Sequence, residues 1–257
     1  MFQVVLVALA LTLVNATPKK GFGLCGAAYK CGDTYALSDN SWWYNWHYSM
    51  QEYHGNRCSR FPHGEYVPMI WGERHLWDAK IPDHTTHLLG FNEPNAQNQA
   101  NMSPERAAQL WPQVEKLAGS RLLIGPALTS CDTNIDMCIH WYDRFFKACH
   151  NCRVNKMAVH AYHCDPYKIM QMLERISKQY GMKVWLTEFA CETSHSTDED
   201  IRFMQTIIPL LEKADYVERY AWFCSRLRGD DKNHNWNLLD MNSPTLNRLG
   251  KVYNSVH

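Results

Sequence analysis

Eight residues decide the fold of this chain: Leu88-Leu89-Gly90-Phe91-Asn92-Glu93-Pro94-Asn95. A short apolar run that ends in turn-forming residues predicts a buried strand followed by a loop. Glu93 therefore stands at the C-terminal end of a strand, ahead of a proline that restricts the exit of the chain. A second stretch has the same form, Val184-Trp185-Leu186-Thr187-Glu188-Phe189. Two glutamates at the same edge of one sheet are what acid–base chemistry on a glycosidic bond requires.

The rest of the chain supplies six further strand candidates, which are apolar, aromatic or β-branched runs. They are Gly21–Gly26, Ser41–Trp46, Tyr66–Gly72, Leu122–Pro126, Met157–Tyr162 and Glu218–Phe223. Helices are predicted between the later strands, with N-caps at Ser103, Asp165, Ser196 and Ser243 and a further helix over 135–149. Alternating strands and helices imply a parallel sheet, and eight such strands can close on themselves. We therefore predict an α/β fold, a single (β/α)8 TIM barrel.

Length and composition fit one domain of this kind. The chain has 257 residues, of which 46% are hydrophobic, and its 26 basic and 26 acidic side chains give a net charge of zero. That balance gives no indication of a nucleic-acid or membrane-surface partner. Residues 1–16 are apolar and end in Ala16, which predicts a signal peptide, a secreted protein and a barrel domain over 17–257. The alternative, a membrane anchor, is disfavoured because this apolar run is too short to span a bilayer.

All ten cysteines lie beyond residue 16. An even number in a secreted chain favours disulfides. Zinc is the alternative for Cys149-His150-Asn151-Cys152, but the sequence has no second pair with ligand spacing to complete a tetrahedral site. Cys164 and Cys191 follow consecutive predicted strands and could pair across neighbouring loops. The sequence leaves the other pairings open.

The active sites of such barrels lie at the C-terminal ends of the strands. The residues predicted there are Asn45, Trp46, Trp71, Asn92, Glu93, His160, Tyr162, Glu188 and Trp222. Aromatic rings stack on sugars, and amide, imidazole and phenol groups bind hydroxyls. No phosphate loop or dinucleotide fingerprint is present, so we expect no cofactor and no metal.

Each of these residues also has a structural interpretation. A glutamate after a strand can be a surface group, and His160 can be a buried structural histidine. Tryptophans in strands more often belong to the core. We predict core or outer-shell positions for Trp42, Trp43, Trp77, Trp111, Trp141 and Trp185.

Six motifs occur in order along the chain. They are Trp43-Tyr44-Asn45-Trp46, Val67-Pro68-Met69-Ile70-Trp71-Gly72, Gly90-Phe91-Asn92-Glu93-Pro94-Asn95, Val159-His160-Ala161-Tyr162, Trp185-Leu186-Thr187-Glu188-Phe189 and Tyr220-Ala221-Trp222-Phe223. Together they resemble the glycosyl hydrolase catalytic core family, which includes glycoside hydrolase family 128, over nearly all of the mature chain. The loop between Cys25 and Ser41 and the number of cysteines depart from the plainest members.

The resemblance implies a retaining endo-β-1,3-glucanase with a β-glucan substrate. We expect the protein to act as a monomer. By this resemblance Glu93 matches the acid/base and Glu188 the nucleophile. The positions that match the lining of the glucan cleft are Asn92, Trp46, Trp71, His160, Tyr162 and Trp222. A retaining mechanism needs carboxyl groups about 5–5.5 Å apart, with the pKa of the acid raised, so we expect a raised pKa for Glu93. Two alternatives remain open: a non-catalytic secreted β-glucan-binding protein on the same barrel, and a hydrolase of another β-glycan.

Overall fold

The computed structural model describes residues 17–25, 29–50, 58–227 and 236–257. Within these ranges the chain forms an eight-stranded parallel sheet with helices around it, which confirms the predicted α/β barrel. The strands are β1 (Thr17–Gly23), β2 (Asn40–Tyr44), β3 (Glu65–Tyr66), β4 (His87–Leu89), β5 (Leu122–Leu128), β6 (Lys156–Ala161), β7 (Val184–Phe189) and β8 (Val217–Trp222). The predicted signal peptide, residues 1–16, lies outside the described residues.

The sheet curls so that its two outer strands meet. The order of pairing is β3-β2-β1-β8-β7-β6-β5-β4, which places the first and last strands of the chain side by side. Beyond Tyr66, β3 continues as extended chain to Ile70. There the N–H of Ile70 donates to the carbonyl oxygen of Leu89 on β4 at 2.9 Å. The N–H of Leu89 in turn donates to the carbonyl oxygen of Pro68 at 2.9 Å. These bonds close the ring.

Helices follow most of the strands, and the long ones follow the later strands, as predicted. They are α1 (Asp33–Ala36), a 3-10 helix (Glu73–Leu76), α2 (Pro104–Ala118), α3 (Ile135–Ala148), α4 (Pro166–Tyr180), α5 (Thr197–Lys213) and α6 (Arg248–Ser255). Ser103, Asp165 and Ser196 cap α2, α4 and α5 as the sequence predicts, each accepting a backbone N–H of the first turn.

Side-chain alternation along the strands builds two cores. On β2, Trp42 and Tyr44 point into the barrel, whereas Trp43 points outward to the helix layer. The inner core is completed by Val67, Met69, Leu89, Ile124, Ala127, Ala158, Trp185 and Ala221. At Gly90 the indole of Trp111 on α2 approaches so closely that a Cβ atom would lie 2.7 Å from it. Glycine is therefore required at position 90, three residues before the first glutamate.

The first strand begins earlier than predicted, at Thr17 rather than Gly21. Lys19 and Lys20 are not typical of a buried strand, but the ammonium group of each donates to backbone carbonyl oxygens. The ammonium of Lys19 donates to Glu212 O at 2.7 Å and Ala214 O at 2.9 Å, at the C-terminal end of α5. The fully buried ammonium of Lys20 donates to Tyr253 O, 2.9 Å away on α6. Positive charge at helix C-termini is favourable.

Two other predictions are wrong. The last helix begins at Arg248 and not after Ser243, because the Asp240 carboxylate accepts the N–H of Ser243 at 3.1 Å and folds that segment into a turn. Asn247 caps the helix instead. Trp77 is 69% exposed rather than in the core or outer shell, because the 3-10 helix before it is one turn long and buries only Leu76.

Candidate active site

The two glutamates lie at the C-terminal rim of the barrel, as predicted. Glu188 is the penultimate residue of β7, and Glu93 follows β4, where its N–H donates to the carbonyl oxygen of Ala127 on β5 at 2.8 Å. Glu93 and Trp46 both have positive φ angles, 43° and 57°. Residues other than glycine rarely adopt this conformation, and where they do the strain is typical of functional positions.

A buried imidazole joins the two carboxyl groups. His160 on β6 is completely buried, and its Nδ1 lies 2.7 Å from Glu93 Oε1 and 3.3 Å from Glu188 Oε2. One ligand atom from each of the three residues lies within 4.8 Å of the other two. Within the described ranges, this is the one group of His, Cys, Asp or Glu side chains with the spacing to hold a metal ion. Both carboxyl groups lie near the same nitrogen, so a proton on Nδ1 can be donated to either of them.

Glu188 accepts hydrogen bonds from two aromatic residues, and a third lies close to it. Trp46 Nε1 donates to Oε1 at 2.7 Å, and the Tyr162 hydroxyl makes a short bond to Oε2. The Tyr44 hydroxyl donates mainly to Thr187 O at 2.8 Å and lies 3.4 Å from Glu188 Oε1. Donors directed at a carboxylate favour its ionised form.

The order of the two carboxyl pKa values is opposite to the expected one. Burial acts to raise the pKa of Glu93, but the hydrogen bond and charge of His160, with a bond from Thr129, lower it overall. Burial and the charge of Glu93 raise the pKa of Glu188 despite its donors. The prediction of a raised pKa for Glu93 is therefore wrong for the unliganded site. The reason is that Glu188 is the more deeply buried of the two, whereas Glu93 accepts the hydrogen bond of His160.

The carboxylates keep a proton on the imidazole. Burial acts to lower the pKa of His160, but the charge of Glu188, together with the hydrogen bond and charge of Glu93, raises it. The pKa of Tyr162 is also raised well above its usual value, by burial and by the charge of Glu188. The Tyr162 hydroxyl therefore stays protonated and acts as a donor.

The other predicted cleft residues differ in position. Trp46 and Trp71 are half-buried beside the inner core. Asn92 is buried, and its Nδ2 donates to Gln99 Oε1 at 3.2 Å. Among the described residues, its Oδ1 has no hydrogen-bond partner.

Trp222 is not brought to the cleft. It is fully buried on the helix side of β8, and its Nε1 donates to Trp236 O at 2.7 Å. The next residue, Phe223, has its ring centroid 5.5 Å from that of Trp46 and 5.8 Å from that of Tyr162.

Three aromatic residues around Glu188 were missed by the sequence analysis: Tyr44, Phe223 and Trp236. Tyr44 was detectable, because period-two spacing places it on the same face as Trp46. Phe223 has no such signal, because the adjacent Trp222 is aromatic as well. Trp236, which stacks on Tyr162 with ring centroids 5.7 Å apart, lies in an irregular segment with no pattern to identify it.

Disulfides hold the loops around this rim. Cys164 and Cys191, on the loops after β6 and β7, are paired, which confirms the suggested bridge. Cys25–Cys224, Cys31–Cys58 and Cys131–Cys138 also join segments that follow strands. Cys149 and Cys152, the alternative zinc ligands, form a fifth disulfide after α3.

Among the described residues, no helix has the length and hydrophobicity needed to cross a membrane.

Comparison with known proteins adds three findings. A family model described as the glycosyl hydrolase catalytic core matches residues 23–253. Among curated proteins, alkali-sensitive linkage protein 1 of Schizosaccharomyces pombe is 27% identical over 244 residues, which cover 90% of this chain and 44% of that protein. The chain thus spans less than half the length of this relative.

Two solved structures are similar over almost their whole length. One is a family 128 subgroup II endo-β-1,3-glucanase from Sorangium cellulosum, 32% identical with a TM-score of 0.80, covering 93% of this chain and 98% of that one. The other is a subgroup I endo-β-1,3-glucanase from Amycolatopsis mediterranei in complex with laminaritriose, 29% identical with a TM-score of 0.73, covering 93% and 99%.

Proposed function

The chain belongs to the glycosyl hydrolase catalytic core family, and on this premise we propose that it is a secreted, retaining endo-β-1,3-glucanase. Glu93 acts as the acid/base and Glu188 as the nucleophile. The observation that carries the proposal is the pair itself: two buried carboxyl groups with oxygens within 4.8 Å, one of them accepting hydrogen bonds from Trp46 and Tyr162. An inverting enzyme needs about 6.5–9.5 Å between its carboxyl groups to admit a water, so this spacing favours retention.

The reaction proceeds in two displacements. Glu188, ionised, attacks the anomeric carbon while Glu93 gives its proton to the departing glycosidic oxygen. The glycosyl ester is then cleaved by water, whose proton returns to Glu93. Trp46 and Tyr162 orient the attacking oxygens through the bonds described above. Asn92 lies beside Glu93, where its free Oδ1 can accept a bond from a sugar hydroxyl.

The resting protonation state is compatible with this cycle. In the unliganded site a single proton on His160 faces Glu93 across 2.7 Å. Its transfer gives a protonated Glu93, a neutral His160 and an ionised Glu188, the state that the first displacement requires. The donors on Glu188 act in this direction because they stabilise its anion, against the burial and the charge of Glu93, which raise its pKa in the unliganded site.

The substrate class follows from the relatives. The two structures described above are β-1,3-glucanases, and one of them holds laminaritriose. Secretion rests on the apolar segment 1–16 and on the five disulfides, which are typical of proteins from oxidising compartments. That the protein acts as a monomer stays a prediction.

The test is the release of reducing sugar from a soluble β-1,3-glucan by the protein and by Glu93→Gln. We expect the variant to lose about 10²- to 10⁴-fold in rate, the usual contribution of general acid–base catalysis. Glu105→Gln is the matched control, because Glu105 is exposed on α2 and paired with Arg144. NMR of the first product should show the β-anomer, since retention keeps the configuration.

Two outcomes would redirect the proposal. Binding of laminari-oligosaccharides without turnover by the unsubstituted protein would favour the non-catalytic alternative. Turnover of mixed-linkage glucan or mannan in place of β-1,3-glucan would favour the hydrolase of another β-glycan. An α-anomer as first product would contradict retention.

A further inference from the structure

The loop between β5 and α3 contacts Glu93 on one side of the site and the backbone of Tyr162, a donor to Glu188, on the other, although it carries none of the residues assigned above. At its start, Thr129 exchanges two hydrogen bonds with Asn95, which follows Glu93: Asn95 Nδ2 donates to Thr129 O at 2.9 Å, and Thr129 N donates to Asn95 Oδ1 at 3.1 Å. The Thr129 side chain also bonds Glu93 itself. The loop therefore fixes the acid/base side of the site.

Three residues further on, Asp132 fixes the other side. A single oxygen, Oδ2, accepts the backbone N–H of Tyr162 at 2.6 Å and that of His163 at 2.7 Å. Both N–H groups lie just after β6 ends at Ala161, where the strand ladder no longer supplies acceptors. Short bonds from two N–H groups to one carboxylate oxygen are charge-assisted and strongly directional.

The clamped backbone carries two groups that contact the glutamates. Tyr162 donates to Glu188, and His160, two residues earlier and on the same face of the strand, lies between both carboxyl groups. The loop itself is tied by the Cys131–Cys138 disulfide, directly beside Asp132. Asp132 is thus held in place independently of any substrate.

The charge of Asp132 acts on the same cluster. Its carboxylate adds to the effects of Glu188 and Glu93 in raising the pKa of His160. An additional negative charge makes the proton on His160 harder to remove.

We propose that Asp132 is a positioning residue of the reaction, which sets the geometry of Tyr162 and His160 against the two glutamates and helps retain the catalytic proton. This inference rests on the proposed function. It assigns no contact between Asp132 and the substrate.

Asp165 offers a matched control. Its Oδ1 also accepts two backbone N–H groups, those of Tyr167 at 2.9 Å and Lys168 at 3.4 Å, but it caps α4 and contacts neither glutamate. We compare Asp132→Ala, Asp132→Asn, Asp165→Ala and Asp165→Asn on soluble β-1,3-glucan. Circular dichroism and Tm establish that each variant is folded.

Asp132→Ala should lower kcat about 10- to 100-fold with little change in KM, because small misplacements of catalytic groups are costly. Asp132→Asn keeps an acceptor but not the charge. It should recover part of kcat and move the alkaline limb of the pH profile down by about half a unit, since losing a negative charge lowers the pKa of the cluster. The Asp165 variants should change Tm only.

An NMR titration of the His160 ring, assigned with His160→Gln, provides a readout that does not depend on turnover. Its midpoint should fall in Asp132→Asn and stay unchanged in Asp165→Asn. The inference is overturned if the Asp132 and Asp165 variants have equal kcat and equal pH profiles, or if the His160 midpoint does not move. An unsubstituted protein with no activity would instead refute the proposed function, and the titration would still decide the role of Asp132.

Discussion

Tyr162→Phe removes one hydroxyl group from the site and so tests the contribution of a single hydrogen bond to Glu188. A hydrogen bond to a charged group contributes about 1.5–3 kcal/mol. With about 1.4 kcal/mol for each factor of ten, its loss should lower kcat/KM about 10- to 150-fold. The bond favours the ionised form of Glu188, so its removal raises the pKa of Glu188 further. The acid limb of the pH profile, which reports ionisation of the nucleophile, should therefore move to higher pH.

The same deletion can be made where it cannot affect catalysis. Tyr142 on α3 is fully buried in the outer core, and its hydroxyl donates to backbone carbonyls, those of Pro126 at 3.2 Å and Ala158 at 2.5 Å. Tyr142→Phe should cost about 1 kcal/mol of unfolding free energy and leave the kinetics unchanged. Initial rates on a soluble β-1,3-glucan from pH 3 to about pH 9 cover both limbs of the expected profile. The reasoning is refuted if Tyr162→Phe keeps kcat/KM within threefold of the Tyr142→Phe value and its acid limb does not move.

Two further predictions test the stability of the rim and the composition of the cleft. Asp33→Ala should lower the free energy of unfolding, measured in urea, by about 3–5 kcal/mol. The reason is that Arg226, whose guanidinium donates to both oxygens of Asp33 at 2.8 and 2.9 Å, stays charged and buried without this carboxylate. A loss below about 1 kcal/mol would contradict this. Phe223→Ala should raise KM for laminari-oligosaccharides, whereas Trp222→Phe should lower Tm and leave KM unchanged; the reverse pattern would place Trp222 in the cleft.

The barrel could be predicted because its signals are local. Apolar runs that end in Glu93 and Glu188 mark two strand ends, and serine or aspartate caps mark the helices between the later strands. The start of β1 could not be predicted, because Lys20 is buried only through carbonyl groups of a helix more than 200 residues away. The start of α6 was misplaced because a serine followed by proline is typical of both an N-cap and a turn.

Within the site, residue types could be predicted but not their directions or protonation. Trp222 and Phe223 are both aromatic, so the sequence does not show which one faces inward, and that depends on the phase of β8 in the sheet. The order of the pKa values depends on how deeply each glutamate is buried and on which of them accepts the hydrogen bond of His160, whose Nδ1 lies 2.7 Å from Glu93 and 3.3 Å from Glu188. Distances between strands β4, β6 and β7 are properties of the closed ring and have no counterpart in the linear sequence.

The Cys25–Cys224 disulfide has a consequence for biosynthesis. It spans 199 residues and joins the segments that follow β1 and β8, the first and last strands of the chain, which are neighbours in the sheet. A nascent chain emerging from the ribosome cannot make this bond until its last strand has been delivered. Two free thiols at these positions thus mark an unfinished molecule, and their oxidation marks a complete one. The oxidation state of this one pair therefore reports whether the first and last strands have been brought together.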